Sequence, residues 1–345
     1  MAGSSTVHPA LGLTRTIHPV GQGAFYSESF CNKETNKPLF TAVYDCGGRN
    51  TELNAEISKL SRVDIIFISH FHCDHIKGVQ RLIDRFKPSK VVFPHISPCR
   101  FLVDFVFNCV KDGSGISSDF MLKLLPMMSN AGSNGVHSNI DGTTFSSVGE
   151  WPYTVPSLSP FWEYRAFYKK NDLKEQVLLD ELKPILALPE NCDKDYLELS
   201  IYEGISKRLK GKDLLEAVKE AYAKAFPGGH NSYSMLVLSH QTGSEEMERK
   251  IFDCLYTGDV DPDKWVLDIE STFNPNIVQV PHHGSNHSHN DALYKGKPIV
   301  FISVGETNRY RHPGLKTFLY LLDTCKEVHV VTEDHNRAYS DSISI

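Results

Sequence analysis

The sequence predicts an α/β fold organised around a strand–helix–strand unit and interrupted by one helical insertion. Three observations predict it. Asp64-Ile-Ile-Phe-Ile-Ser69 is a short continuous apolar run, the pattern of a strand buried on both faces. Ile76, Val79, Leu82, Ile83 and Phe86 then recur at helical spacing, Lys87-Pro88 stops that helix, and Val91-Val-Phe93 resumes as a strand. Between residues 165 and 226 the pattern changes to helical periods among many charges, after which strands return.

Each element follows in chain order. Val20-Gly-Gln-Gly23 to Asp45-Cys-Gly-Gly48 reads as a β-hairpin region whose second strand is Phe40-Thr-Ala-Val-Tyr44. The buried strand, its helix and the strand at 91–93 form the βαβ unit. Residues 97–130 read as mainly helical, 129–142 as a loop rich in Ser, Asn and Gly, and 143–160 as strand-like. The insertion at 165–226 carries Leu173, Val177 and Leu178, then Leu214, Val218, Ala221, Tyr222 and Ala225, and closes at Pro227-Gly-Gly229. Strands are expected at 235–238, 251–256, 277–280, 299–304 and 328–331, with a last helix from about Leu315 to Leu322.

The 345 residues suit one large domain, 1–345, with the insertion inside it as a lid, an exosite or a dimer contact. Composition is that of a globular protein, 41% hydrophobic and 23% charged. A net charge of −6 argues against a surface that binds nucleic acid everywhere, though not against a local basic groove. Lys207, Arg208, Lys210 and Lys212 form a basic run of that kind, more simply read as a solvated face. The eight cysteines are scattered with no Cys-x-x-Cys, which points to reduced, cytoplasmic usage. No signal peptide and no apolar run long enough to span a membrane is read.

Chemistry concentrates in Ser69-His70-Phe71-His72-Cys73-Asp74-His75. Four metal-ligand side chains fall within six residues directly after a buried strand. His70 and His72 point the same way if the loop stays extended, while Asp74 and His75 can face a second centre. Imidazole and carboxylate suit zinc first, with manganese or iron as alternatives. Cys73 sits between ligands and is read as packing. Of the 16 histidines, those at 8, 18, 95, 137, 240, 287, 289, 329 and 335 are first assigned to solvent or loops.

The cluster resembles the signature of the metallo-β-lactamase superfamily, and later motifs follow in that family's order. Gly229-His230-Asn-Ser-Tyr-Ser234 resembles its third motif, Thr257-Gly-Asp259 its fourth and Val280-Pro-His-His-Gly-Ser285 its fifth. The resemblance implies the αββα metallo-β-lactamase sandwich and a binuclear site with two divalent metals. His70, His72 and His230 would hold one metal, Asp74, His75 and His283 the other, and Asp259 would bridge them. Val-Pro-x-His-Gly favours His283 as the ligand, which puts His282 over the substrate; the reverse assignment stays open.

A closer resemblance is to the β-lactamase-like domain of the competence DNA-uptake proteins (ComEC) and its soluble relatives. It is carried by Val20-Gly-Gln-Gly23, Asp45-Cys-Gly-Gly48, Pro281-His-His-Gly-Ser285 and Phe301-Ile-Ser-Val-Gly305 with Asn308-Arg-Tyr-Arg-His-Pro313. Those proteins often lack the second histidine of the first motif and have asparagines at the third. This chain keeps His72 and His230, and it lacks their membrane channel.

The resemblance implies a phosphodiesterase or nuclease acting on a nucleic acid or a cyclic nucleotide. Two divalent metals held there would supply a water acidic enough near neutral pH to serve as the nucleophile. Asp74 belongs to that machinery, and His282 or His312 would protonate the leaving oxygen. His312 reads equally well as a turn residue before Pro313. Gly21 and Gly23 serve backbone geometry, and Asp45 orients a ligand histidine or caps a turn. The same site would hydrolyse a lactam, lactone or thioester. A different class also fits: a subunit, as a homodimer or within a bacterial defence or stress assembly, whose main role is partner binding.

Overall fold

The computed structural model describes residues 11–94, 136–138, 144–148, 150–159, 161–168, 172–192, 212–225, 234–242, 252–297, 299–334 and 339–344. Two β-sheets face each other. The first runs β15-β1-β2-β3-β4-β5-β7-β6, from β1 (Leu11–Ile17), β2 (Phe25–Asn32), β3 (Pro38–Cys46), β4 (Ile65–Phe67), β5 (Lys90–Pro94), β6 (Val136–Ser138), β7 (Thr144–Val148) and β15 (Tyr339–Ser344). The second runs β14-β13-β12-β11-β10-β9-β8, from β8 (Glu150–Thr154), β9 (Trp162–Phe167), β10 (Leu236–Gln241), β11 (Cys254–Tyr256), β12 (Ile277–Gln279), β13 (Ile299–Ser303) and β14 (Glu327–Val331).

The expected βαβ unit is present. After β4 come the short helix α2 (Cys73–Ile76) and α3 (Val79–Phe86), and β5 pairs parallel to β4. A kink at Lys77-Gly78 separates the two helices that the periodicity joined into one. Helix α1 (Asn50–Lys59) precedes the unit and buries Leu53, Glu56 and Ile57.

Period-two alternation sorts the apolar residues between two cores. In β13, Ile299 and Phe301 join the core between the sheets, whereas Val300 and Ile302 join a second core on the opposite face of their sheet. Helices α6 (Lys264–Phe273), α7 (Asp291–Tyr294) and α8 (Leu315–Thr324) cover that opposite face through Val266, Leu293 and Leu321. Between the sheets, Tyr26, Tyr44 and Tyr256 stack, and Phe67 meets Tyr164 at 5.4 Å between ring centroids.

A buried ion pair also joins the sheets. Arg15 on β1 contacts Glu28 on β2 at 2.6 Å. Glu28 accepts hydrogen bonds from Tyr164, Ser239 and Tyr256 on the facing sheet. Those donors supply what a desolvated charge pair needs, since removing one partner from such a pair costs about 3–5 kcal/mol.

The helical insertion starts later than the sequence suggests. β9 continues through Phe167 in register with β8 and β10, so residues 165–167 are strand. Helices α4 (Asp172–Ile185) and α5 (Lys212–Ala225) then pair with each other. Their buried Leu178, Leu179, Leu182, Val218 and Tyr222 belong to the larger of the two core clusters. The helical reading of 97–130, Lys207, Arg208 and Lys210 of the basic run and the closing Pro227-Gly-Gly229 lie outside the described residues, while Lys212 of that run opens α5. The loop read at 129–142 contains a strand, β6, paired antiparallel to β7.

Several histidines first assigned to solvent are structural. His18 is buried, with Nδ1 3.0 Å from Glu56 and Nε2 2.8 Å from Ser27 Oγ. The His289 side chain is buried against Tyr294 and Tyr320. His240 and His329 lie in β10 and β14, while His287 is exposed as expected. His137 falls in β6, and His8, His95 and His335 are outside the described residues. Among the described residues no helix is long and apolar enough to cross a membrane.

Candidate metal centre

The C-terminal ends of parallel strands converge on one point. From the first sheet, β3 ends on Asp45-Cys46, and His70 and His72 lie on the loop after β4. From the second, Asp259 follows β11, His282 and His283 follow β12, and Ser303 ends β13. Crevices at the carboxyl ends of parallel strands are where α/β sheets place ligands, because loops rather than strands meet there.

Helix α2 contributes the next two side chains. Its first turn carries Asp74 and His75, which turns both toward the same point as His70. Close packing fixes that turn: a Cβ on Gly47 would lie 1.8 Å from the Asp74 carbonyl oxygen, so only glycine lets β3 end this close to α2.

The side chains fall into two groups of converging ligand atoms, His70 with His72 and Asp259, and Asp74 with His75 and His283. Within each group the atoms lie within 4.8 Å of one another. Asp259 divides its oxygens between them. Its Oδ2 is 3.8 Å from His70 Nε2, and its Oδ1 is 3.2 Å from His75 Nε2 and 3.9 Å from His283 Nε2. His283 Nε2 lies 3.6 Å from Asp74 Oδ2. His230 lies outside the described residues.

Outer hydrogen bonds decide which ring nitrogen faces the centre. His283 donates from Nδ1 to the Ser303 carbonyl at 2.7 Å, so its Nε2 carries the lone pair. His75 Nδ1 meets Asp45 at 2.8 Å. Ser69 donates its hydroxyl to Asp45 and therefore accepts from His70 Nδ1 at 3.0 Å. The Nε2 atoms of His75 and His283 and the Oδ1 of Asp259 are buried and make no hydrogen bond among the described residues. Buried polar atoms of that kind are costly unless something fills the space between them. Lone pairs from imidazole and carboxylate, with the His70, His75 and His283 rings each held by a second hydrogen bond, fit a pair of divalent cations.

Charge reinforces the geometry. Burial pushes the Asp259 carboxyl up, but the neighbouring His75, His282 and His283 outweigh it and hold it well below the usual carboxylate range. Burial likewise raises Asp74, and its contacts with His283 and His75 reverse the sign. Asp45 shifts the other way, raised by burial against the pull of His75 and Ser69.

His282 and His283 sit in a short 3-10 turn, Pro281–Gly284, both with positive φ, 49° and 52°. Two successive non-glycine residues in the left-handed region cost about 1–3 kcal/mol each, and such strain collects at functional sites. The turn aims both imidazoles inward. His282 Nε2 is 3.9 Å from Asp259 Oδ2, on the His70 side. Its Nδ1 is 3.2 Å from Ser288 Oγ, whose proton goes to Asp261 at 2.8 Å. Ser288 therefore accepts from His282, leaving the His282 Nε2 lone pair facing the centre.

His312 closes the rim, its ring 5.3 Å from His282 and 6.3 Å from His283. Asn308 holds it by accepting from the His312 N–H and donating to its carbonyl. Half-burial and then the nearby His282 and His283 push its imidazole down to about 4, so it is neutral at pH 7. Cys73 is part-buried on α2 and contributes to neither ligand group. Sequence reading missed Ser69, Ser234, Asp261, Ser288 and Ser303; their only signal is that each sits within a few residues of a motif.

The metallo-beta-lactamase superfamily model matches residues 40–98, the segment from β3 through the histidine motif to β5. No curated protein matches. Solved structures similar to this chain include the metallo-beta-lactamase fold protein YhfI from Bacillus subtilis, at 10% identity and TM-score 0.46, with 97% of this chain and 100% of that chain covered. The archaeal metallo-beta-lactamase superfamily protein ST1585 from Sulfolobus tokodaii is 14% identical at TM-score 0.29, covering 71% of this chain and 62% of that one. A long form RNase Z from yeast is 10% identical at TM-score 0.33, covering 78% of this chain and 32% of that chain. The fold is a mixed α/β arrangement of two sheets with helices, consistent with the metallo-beta-lactamase fold.

Proposed function

We propose that the chain is a hydrolase working with two divalent metals, and that its substrates are phosphodiesters. The observation that carries the reading is the division of Asp259 between the two ligand groups, one oxygen toward each. His70 and His72, with His230 as the remaining ligand, would hold one metal. Asp74, His75 and His283 would hold the other. When bound, the pair would activate water and neutralise charge on phosphate oxygens.

The chain's own residues do the rest. Asp45, Ser69 and Ser303 fix the imidazole tautomers, so no reorganisation is needed as charge develops. Of the two histidines beyond the ligand groups, His312 is the better placed to hydrogen-bond the leaving oxygen. His282 has its N–H committed to Ser288 and presents a lone pair instead. Arg309 and Arg311 precede His312 on an exposed loop, a setting that favours an anionic substrate over a neutral lactone or thioester. The resemblance to the DNA-uptake domain supports the same substrate class.

Purified protein supplied with zinc or manganese is expected to hydrolyse bis-p-nitrophenyl phosphate and single-stranded DNA. Asp259→Ala is expected to reduce that turnover by about a thousandfold, the scale of several kcal/mol of lost charge stabilisation. Wild-type protein with metal bound and no turnover of either substrate would contradict the reading.

A further inference from the structure

Helix α8 has two unlike faces. Its inner face buries Thr317 and Leu321, and Thr317 is tied to Asn286 beside the histidine turn. Its outer face carries Leu315, Leu319 and Leu322, which are 70%, 55% and 54% exposed. Among the described residues only Val177 and Tyr310 are comparable exposed large apolar side chains. Spacing of i, i+4 and i+7 puts the three leucines in one line along the helix. Such a stripe on a water-facing helix calls for a cover.

Charge names the cover. Lys316 and Asp323 are both exposed, and neither forms an ion pair among the described residues. At about 100° per residue they lie two turns apart on the same flank of the leucine line. We propose that this face docks on the same face of a second copy, the two α8 helices antiparallel across a twofold axis. In that arrangement a flank meets its own counterpart running the other way. Lys316 then lies opposite the partner's Asp323, and Asp323 opposite the partner's Lys316, while the leucines close around Leu319. A parallel pair would set this flank against the partner's opposite flank and leave both charges without their counterparts. A lipid surface selects flanks rich in lysine and arginine, and this one balances each lysine with an aspartate.

The ten-residue helix is about 15 Å long. Its contact is smaller than the roughly 1,200–2,000 Å² of a standard stable interface. The dimer is therefore reversible, and weaker in high salt because its ion pairs are at the rim.

Sedimentation velocity across a micromolar to sub-millimolar concentration series tests this on the full chain. A monomer–dimer equilibrium is expected in wild type. Lys316→Glu and Asp323→Lys should each weaken it about tenfold, because each reversal turns both ion pairs repulsive. The double reversal should restore it, and Leu319→Asp should abolish it. Thermal midpoints equal to wild type show that the variants fold. A monomer at every concentration would overturn the proposal. So would a dimer indifferent to these substitutions, or a double reversal no better than the single ones.

Discussion

Asp45 takes no place in either ligand group, yet it holds two of the imidazoles that do. One oxygen takes the His75 Nδ1 proton and the Ser69 hydroxyl, and Ser69 in turn accepts from His70. Its other oxygen accepts the Ser69 backbone N–H at 2.7 Å. Removing its charge while keeping its shape, Asp45→Asn, lets the His75 ring turn and lowers the basicity of its Nε2. Metal affinity is expected to fall about 10–100-fold, the usual effect of losing an outer hydrogen-bond partner. Titration of zinc against a chromophoric chelator measures it. Unchanged affinity would mean that the ligand rings are held by packing alone.

At the scale of elements, β1 and α1 are tied by one buried pair. His18, just past β1, stacks on Phe25 at 3.9 Å and bonds Glu56 of α1. Burial lowers the His18 pKa below 6.5 in spite of the raising effect of Glu56. The Glu56 carboxyl is raised by burial, but the bonds from His18 and Lys59 bring it below 4.5. Both groups bind protons more readily in the unfolded chain. Their contribution to stability is complete above about pH 6.5 and is lost as pH falls, first through His18 and then through the lowered Glu56 pKa. Thermal midpoints at pH 7 and pH 5 should differ less for His18→Gln than for wild type. An equal acid shift in both would contradict the pairing.

These elements were also the hardest to read from sequence. The sequence reading placed no strand at 11–17 or 339–344 and no helix at 50–59 or 264–273. β1 pairs with β15 from the far end of the chain, a match no local pattern announces. Its Arg15 breaks the apolar alternation because the charge is neutralised by Glu28 inside the sandwich. Helix α1 shows only Leu53 and Ile57 as an apolar stripe, too few to stand out from its polar residues. In contrast, β4 and α3 were legible because both are packed on apolar neighbours, so their periodicity is unbroken.

Over the whole molecule, two halves of sequence meet at one centre. His70, His72, Asp74 and His75 arrive from the first sheet, and Asp259 and His283 from the second, almost two hundred residues later. The first set was readable as ligands because all four fall within six residues. The second was readable only through the family resemblance, since an isolated Asp or His carries no spacing signal. Supporting residues such as Ser69 and Ser303 were invisible, because their role depends on a hydroxyl or a carbonyl that any residue list hides. The interaction face on α8 is likewise a property of the folded surface: the sequence marks a helix there, and the structure turns Leu315, Leu319 and Leu322 outward.

Two ligand groups that share Asp259 imply two bound metals with that carboxylate between them. Native mass spectrometry of the zinc-loaded chain, alongside Asp259→Ala and Asp74→Ala, tests it most directly. Two zinc ions per wild-type chain are expected, with Asp74→Ala retaining one and Asp259→Ala losing affinity at both positions. A wild-type chain that binds a single ion, or two ions whose binding is indifferent to Asp259, would contradict it.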